Sequence, residues 1–178
     1  LGLLALMLVQ HARSSSRFDA AGDLVLLEHQ DRSQWTTALI EEGSAVLERA
    51  MRRRSIGPYQ LQAAIAALHS QAPAWEATDW PQIAALYGVL ADIDPSPVVA
   101  LNRAVAIGFT DGAEAGLVAL DAIESDRLPQ RHLLHATRGE LLLRSGDPIA
   151  AAGEFDAALE HVVSEPDRRH LQRRRAVV

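Results

Sequence analysis

Glu28, Asp31, Glu41 and Glu42 are carboxylates of the kind that serve as general acids and bases, and His132 with His135 has a spacing that metal ligands use. Neither set finds its complement. Carboxylate chemistry needs a nucleophile or a second acid–base group, and the chain has no G-x-S-x-G, no H-E-x-x-H and no glycine-rich phosphate loop. A zinc site needs third and fourth ligands, and there is no cysteine. The expectation is a non-enzymatic chain with no catalytic residues, no metal site and no cofactor.

The cations point to recognition instead. All 17 basic residues are arginine, whose planar fork suits carboxylate pairing. Asp31, Arg32 and Trp35 form one candidate interaction patch, since Arg and Trp anchor many interfaces; the plainer reading is a capped helix start with a core Trp. Asn102-Arg103 and Thr137-Arg138 occupy equivalent places one repeat apart. Asn102, Arg103 and Arg138 then either line a groove for an acidic peptide or pair with acids of neighbouring helices, such as Asp121 or Glu140. Arg52-Arg53-Arg54 and the tail of Arg168, Arg169, His170, Arg173, Arg174 and Arg175 are basic clusters. A net charge of -6 and the lack of interleaved aromatics argue against direct DNA contact.

The elements that would carry these residues read as helices. The chain is 178 residues long, 48% hydrophobic and 4% aromatic, so its apolar weight is Ala, Leu, Ile and Val, as in close-packed helices. Helices are expected over 1–16, from Asp31 to about Arg54, from Pro58 to about Gln71, and from Asp79 to Asp94. Others follow at 98–109, 113–124, 129–145, 149–162 and from Ser164 onward. Asp31 with Gln34 and Asp79 with Gln82 have capping-box spacing. Gly57-Pro58 and Gly146-Asp147-Pro148 are stop-and-start signals. Leu24–Leu27 reads as an apolar run, extended or helical, with a small β-bridge as the alternative. The opening Leu1–Val9 is too short to span a bilayer and lacks the flanks of a signal peptide. It reads as a buried helix of a longer protein.

Residues 98–163 repeat one pattern at an offset of 35. Ala104 matches Gly139, Asp111 matches Gly146, Gly116 matches Ala151, Leu120 matches Phe155, and Ile123 matches Ala158. Small residues recur where paired helices must touch, and Phe155 and Ala158 are expected to pack on the next unit. This is tetratricopeptide (TPR) spacing, with its closing proline late at Pro166. The fold class is therefore all-α: TPR-like stacked helical hairpins, an α-solenoid or superhelix of about nine helices. Residues 1–56 are assigned to family-specific helices and 57–178 to the repeats, within one domain.

A further set of motifs covers nearly the whole chain. Gln30-Asp31-Arg32-Ser33 with Trp35, Gly57 through Ala67, Thr78-Asp79-Trp80, and Ser96 through Ala106 resemble the C-terminal extension of a group of bacterial extracytoplasmic-function RNA polymerase sigma factors. The opening Leu1–Leu8 fits the same resemblance. It implies a helical, TPR-like, cytoplasmic regulatory module that follows the domains contacting polymerase and promoter. The implied partners are those upstream sigma domains and RNA polymerase, with no membrane and no DNA contact by this part. An isolated fragment can also pair with itself through Leu3, Leu4 and Met7. The alternatives are a ligand- or peptide-sensing TPR module and a generic TPR adaptor unrelated to transcription.

Overall fold

The computed structural model describes residues 1–53, 55–124 and 128–178. The described residues form nine α-helices and no extended strand: α1 (Gly2–His11), α2 (Thr37–Met51), α3 (Pro58–Gln71), α4 (Trp80–Ile93), α5 (Pro97–Thr110), α6 (Ala113–Asp121), α7 (Arg131–Ser145), α8 (Pro148–His161) and α9 (Glu165–Ala176). Local chemistry sets several starts. The side chains of Asp79, Ser96 and Asp147 accept from the amides of Gln82, Val98 and Ala150 at 3.0, 3.2 and 2.9 Å. Each satisfies a first-turn N–H that no helical carbonyl can reach. At Gly57 the cap is one-sided, because glycine has no side chain: Gln60 Oε1 accepts from the Gly57 amide at 3.2 Å.

Two compact units divide the chain. The first, Leu1–Ala21 with Val25–Asp94, contains α1 to α4. Here α1 packs on α2 and α3, and α4 packs on α3. Ala5, Val46 and Ala63 form the shared core. Small residues allow the approach: a Cβ on Gly43 would lie 2.7 Å from Val9 Cγ2.

The second unit, Gly22–Leu24 with Pro95–Val178, contains α5 to α9. Each helix packs on its neighbour in chain order, α5 on α6 through α8 on α9, the solenoid-like pattern of stacked hairpins. Ala104, Gly108 and Gly116 bring α5 and α6 together; a Cβ on Gly116 would sit 2.9 Å from Gly108 Cα. Leu141 of α7 fills the adjoining space, in a core with Leu101, Leu120, Leu128 and Leu134. In the next hairpin the ring of fully buried Phe155 lies against Gly139. The same ring joins Ala151, Ala158, Val162 and Leu171 in one cluster, so Phe155 serves both its own hairpin and α9. Burying such a ring contributes on the order of 2–3 kcal/mol.

The joint between α7 and α8 is closed on both sides. Gly146 is left-handed at φ 88°. Its amide donates to Leu143 O at 3.1 Å, and the Asp147 amide donates to Leu142 O at 2.9 Å. These are the paired bonds of a Schellman stop. Asp147 then caps α8 with its carboxylate.

Three expected boundaries move. The first helix ends at His11, and Ser14–Ser16 form a separate 3-10 turn. Asp31 caps a 3-10 turn at Arg32–Gln34 rather than a long helix, and α2 begins only at Thr37. The cause is tertiary: the Thr36 amide donates to Ala12 O at 2.9 Å and Ser15 Oγ to Gln34 O at 3.1 Å, holding the backbone extended between the two helices. The helix starting at 113 stops at Asp121 rather than 124. Near Leu24–Leu27, the Val25 amide donates to Arg17 O at 2.9 Å, a bridge-type closure. Arg54, part of one basic cluster, lies outside the described residues. Among the described residues no helix is long and apolar enough to cross a membrane.

Candidate functional site

The Asp31–Trp35 motif sits at a junction within the first unit. Asp31 is exposed; its carboxylate accepts from the Ser33 amide, the Ser33 hydroxyl and Gln34 Nε2. Those bonds hold it below the usual carboxylate range. Arg32 turns the other way. Its Nη1 donates to the carbonyls of His69 and Ala72 at 2.6 and 2.9 Å, at the C-terminus of α3. A cation there complements the helix dipole and satisfies carbonyls the helix leaves open. The same guanidinium lies 4.6 Å from the centroid of the Trp35 ring. Trp35 is buried, and its Nε1–H donates to Ser16 Oγ at 2.9 Å.

Behind Arg32 is an aromatic cluster. The His69 ring stacks on Trp75 at 6.2 Å and meets Trp80 edge-on at 5.2 Å; Trp75 and Trp80 meet edge-on at 4.9 Å. The sequence motifs at 30–35 and 78–80 thus meet, through Arg32 and Trp80, at His69, which lies two residues beyond the 57–67 motif. Burial, then the charges of Arg13 and Arg32, push the His69 imidazole down to about 4.

The repeat-positioned arginines separate. Asn102 and Arg103 are exposed on α5. Arg138 is half-buried and donates to Asp121 at 2.5 Å, with Glu154 at 3.8 Å, so it takes a neighbouring-helix acid. His132 is buried. His135 Nδ1 lies 2.8 Å from Glu154, and its ring stacks on His161 at 5.8 Å. Among the described residues no group of three His, Cys, Asp or Glu side chains could hold a metal ion.

The basic tail forms an internal brace. Arg174 forks both oxygens of Glu140 at 2.6 Å, Arg175 meets Asp156 at 2.7 Å, and Arg169 and Arg173 converge on Asp23. Arg168 donates to the carbonyls of Val162 and Leu159 just after and within α8. No local signal announces these pairings, because the partners are 6 to 150 residues apart.

An exposed apolar stripe lies on α1. Ala5, Val9 and Ala12 face inward with at most 1% exposure, while Leu3, Leu4 and Met7 are 46, 48 and 59% exposed. A cleft of about 480 Å³ adjoins the start of this helix, lined by Leu1, Leu3, Ala50, Arg53, Tyr59 and Gln60 among others.

A family described as a family of unknown function (DUF6596) matches residues 1–51, the stretch holding α1, the Asp31–Trp35 motif and α2. The chain is similar to an uncharacterized protein of Rhizobium meliloti (strain 1021), with 48% identity over 159 residues, covering 89% of this chain and 37% of that protein. The chain therefore spans little more than a third of this curated relative. No solved structure matches it.

Proposed function

We propose that the chain is a non-catalytic protein–protein scaffold: the cytoplasmic C-terminal regulatory part of a longer extracytoplasmic-function sigma factor. The observation that carries this reading is the two-faced α1. Its inner face is closed, yet Leu3, Leu4 and Met7 leave an apolar stripe on the outside. Such stripes mark surfaces that meet another protein. The resemblance of residues 30–35, 57–67, 78–80 and 96–106 to the sigma-factor extension supplies the partner: the polymerase- and promoter-binding domains of the same protein. The greater length of the Rhizobium relative fits a module within a larger chain.

The test is promoter-dependent transcription by the intact sigma factor, by a version truncated before Leu1, and by Leu4→Asp/Met7→Asp. Loss or release of transcription in both altered forms, with folded protein in matched amounts, is the expected outcome. Unchanged transcription in both removes the reading.

A further inference from the structure

Arginines in the second unit show how this chain accommodates a guanidinium. Arg138, Arg169, Arg173, Arg174 and Arg175 each meet an aspartate or glutamate. Arg13, Arg17 and Arg32, all half-buried in the first unit, do not: none forms an ion pair among the described residues. Arg13 Nη2 and Arg17 Nη2 instead share one neutral acceptor, Gln10 Oε1, at 2.7 and 2.6 Å. Their Nη2 atoms are thus within about 5.3 Å of each other, the combined length of those two bonds. An amide oxygen gives each cation a hydrogen bond but no countercharge, and partly desolvated charges need both.

A second observation falls in the same neighbourhood. Among the described residues, the buried side-chain polar atoms that make no hydrogen bond are Arg32 Nη2, His69 Nδ1 and Thr78 Oγ1. Thr78 is only 7% exposed. Native interiors rarely leave such atoms without a partner, and two of them share a junction. Arg32 holds the His69 carbonyl, and Trp35 under Arg32 donates to Ser16 Oγ, whose hydroxyl donates to Arg13 O, which is a reason to seek a ligand there. Arg13 also feels the crowding: burial, then Arg17 and Arg32, hold it down to about 10. The chain as a whole carries a net charge of -6, so this trio is a local feature and not part of a generally basic surface.

We propose that Arg13, Arg17 and Arg32 form a receptor for an oxyanion, a carboxylate or a phosphate group. Guanidinium forks match both shapes, and an incoming oxyanion supplies the countercharge that Gln10 lacks. Arg32 Nη2 makes no hydrogen bond, because Nη1 alone holds the α3 carbonyls, and Glu76 is near enough to act on the Arg32 charge without taking that donor. The two chemical sources are a free small anion and an acidic side chain of another protein segment. This inference is independent of the sigma-factor reading.

The test titrates the 178-residue chain with inorganic phosphate and, separately, with a capped tetraglutamate peptide, at ionic strength held constant with chloride. Tryptophan fluorescence is the readout, because Trp35 carries the Arg32 contact and Trp75 and Trp80 flank His69. A saturable change is expected, weakened about tenfold in Arg13→Gln and in Arg17→Gln and unaltered in Arg49→Gln, a change at an exposed arginine of α2. Arg32→Gln is not relied on, since it also uncaps α3; circular dichroism confirms that the other variants stay helical. Saturation by phosphate alone assigns a small-anion site, and saturation by the peptide assigns a partner's carboxylate. No saturable response to either anion overturns the proposal, as does equal weakening in Arg49→Gln.

Discussion

Gly139 and Phe155 are fitted to one another: a Cβ on Gly139 would stand 2.8 Å from Cε1 of the Phe155 ring. Thirty-five residues earlier the same two places hold Ala104 and Leu120, both fully buried and in one core cluster. Where the small residue gains a methyl, the large one loses bulk. Gly139→Ala is therefore expected to destabilise by about 1–3 kcal/mol through overpacking. In Gly139→Ala/Phe155→Leu the two losses should sum to less than their separate costs. Urea unfolding of the two single variants and the double variant checks this; strict additivity would refute the fit.

Two glycines near the same hairpin should respond with opposite signs. Gly146 sits at φ 88°, so Gly146→Ala is expected to cost about 1–2 kcal/mol. Gly153 lies within α8 with nothing within 4 Å of an added Cβ. Gly153→Ala should stabilise by about 0.5–1 kcal/mol. Thermal unfolding of both variants is sufficient to compare them.

His69 gives the first unit a pH dependence. Its folded value is near 4, below the ordinary 6.5, so between those values the unfolded chain binds more protons. Stability from this group is full above about pH 6.5 and falls as pH drops toward 4, by at most about 1.4 kcal/mol per unit. Urea midpoints at pH 7 and pH 5 should show the loss, and His69→Gln should remove most of the difference. An NMR titration that places the His69 imidazole above 6 would contradict it.

Leu171 is the buried apolar anchor of α9, at 2% exposure; arginines also tie that helix, Arg168 through carbonyls and Arg169, Arg173, Arg174 and Arg175 through carboxylates. Leu171→Ala is expected to cost about 2–3 kcal/mol. It should also speed amide exchange over Glu165–Ala176 while leaving Gly2–His11 unchanged. Adding 1 M NaCl should deepen the effect, because the partly exposed pairs are screened.

Much of this was legible locally. Asp79 and Asp147 announce their caps, and Gly146 announces its stop, because each acts within four residues of itself. The offset of 35 shows where small and large residues recur, but it assigns Phe155 to the next unit, whereas the ring also lies against Gly139. What could not be read is long-range. Asp31 and Gln34 have capping-box spacing, yet Trp35 is claimed by Ser16 and the Thr36 amide by Ala12, so the helix waits until Thr37. Likewise Arg32 reaches carbonyls 37 and 40 residues away, and nothing in its own neighbourhood names them. The tail arginines read only as a basic cluster, yet they are spent on Asp23, Glu140 and Asp156.

The turn at Gly146-Asp147 has a consequence for how the second unit comes apart. Asp147 finishes α7 with its amide and starts α8 with its carboxylate, so the joint has no spare residue to act as a hinge. With the Phe155 ring seated on Gly139, neither helix can open and leave its neighbour's packing intact. The pair is bound to melt as one cooperative block: slow amides of α7 and α8 should report a single shared opening free energy, a folding unit written into one two-residue corner.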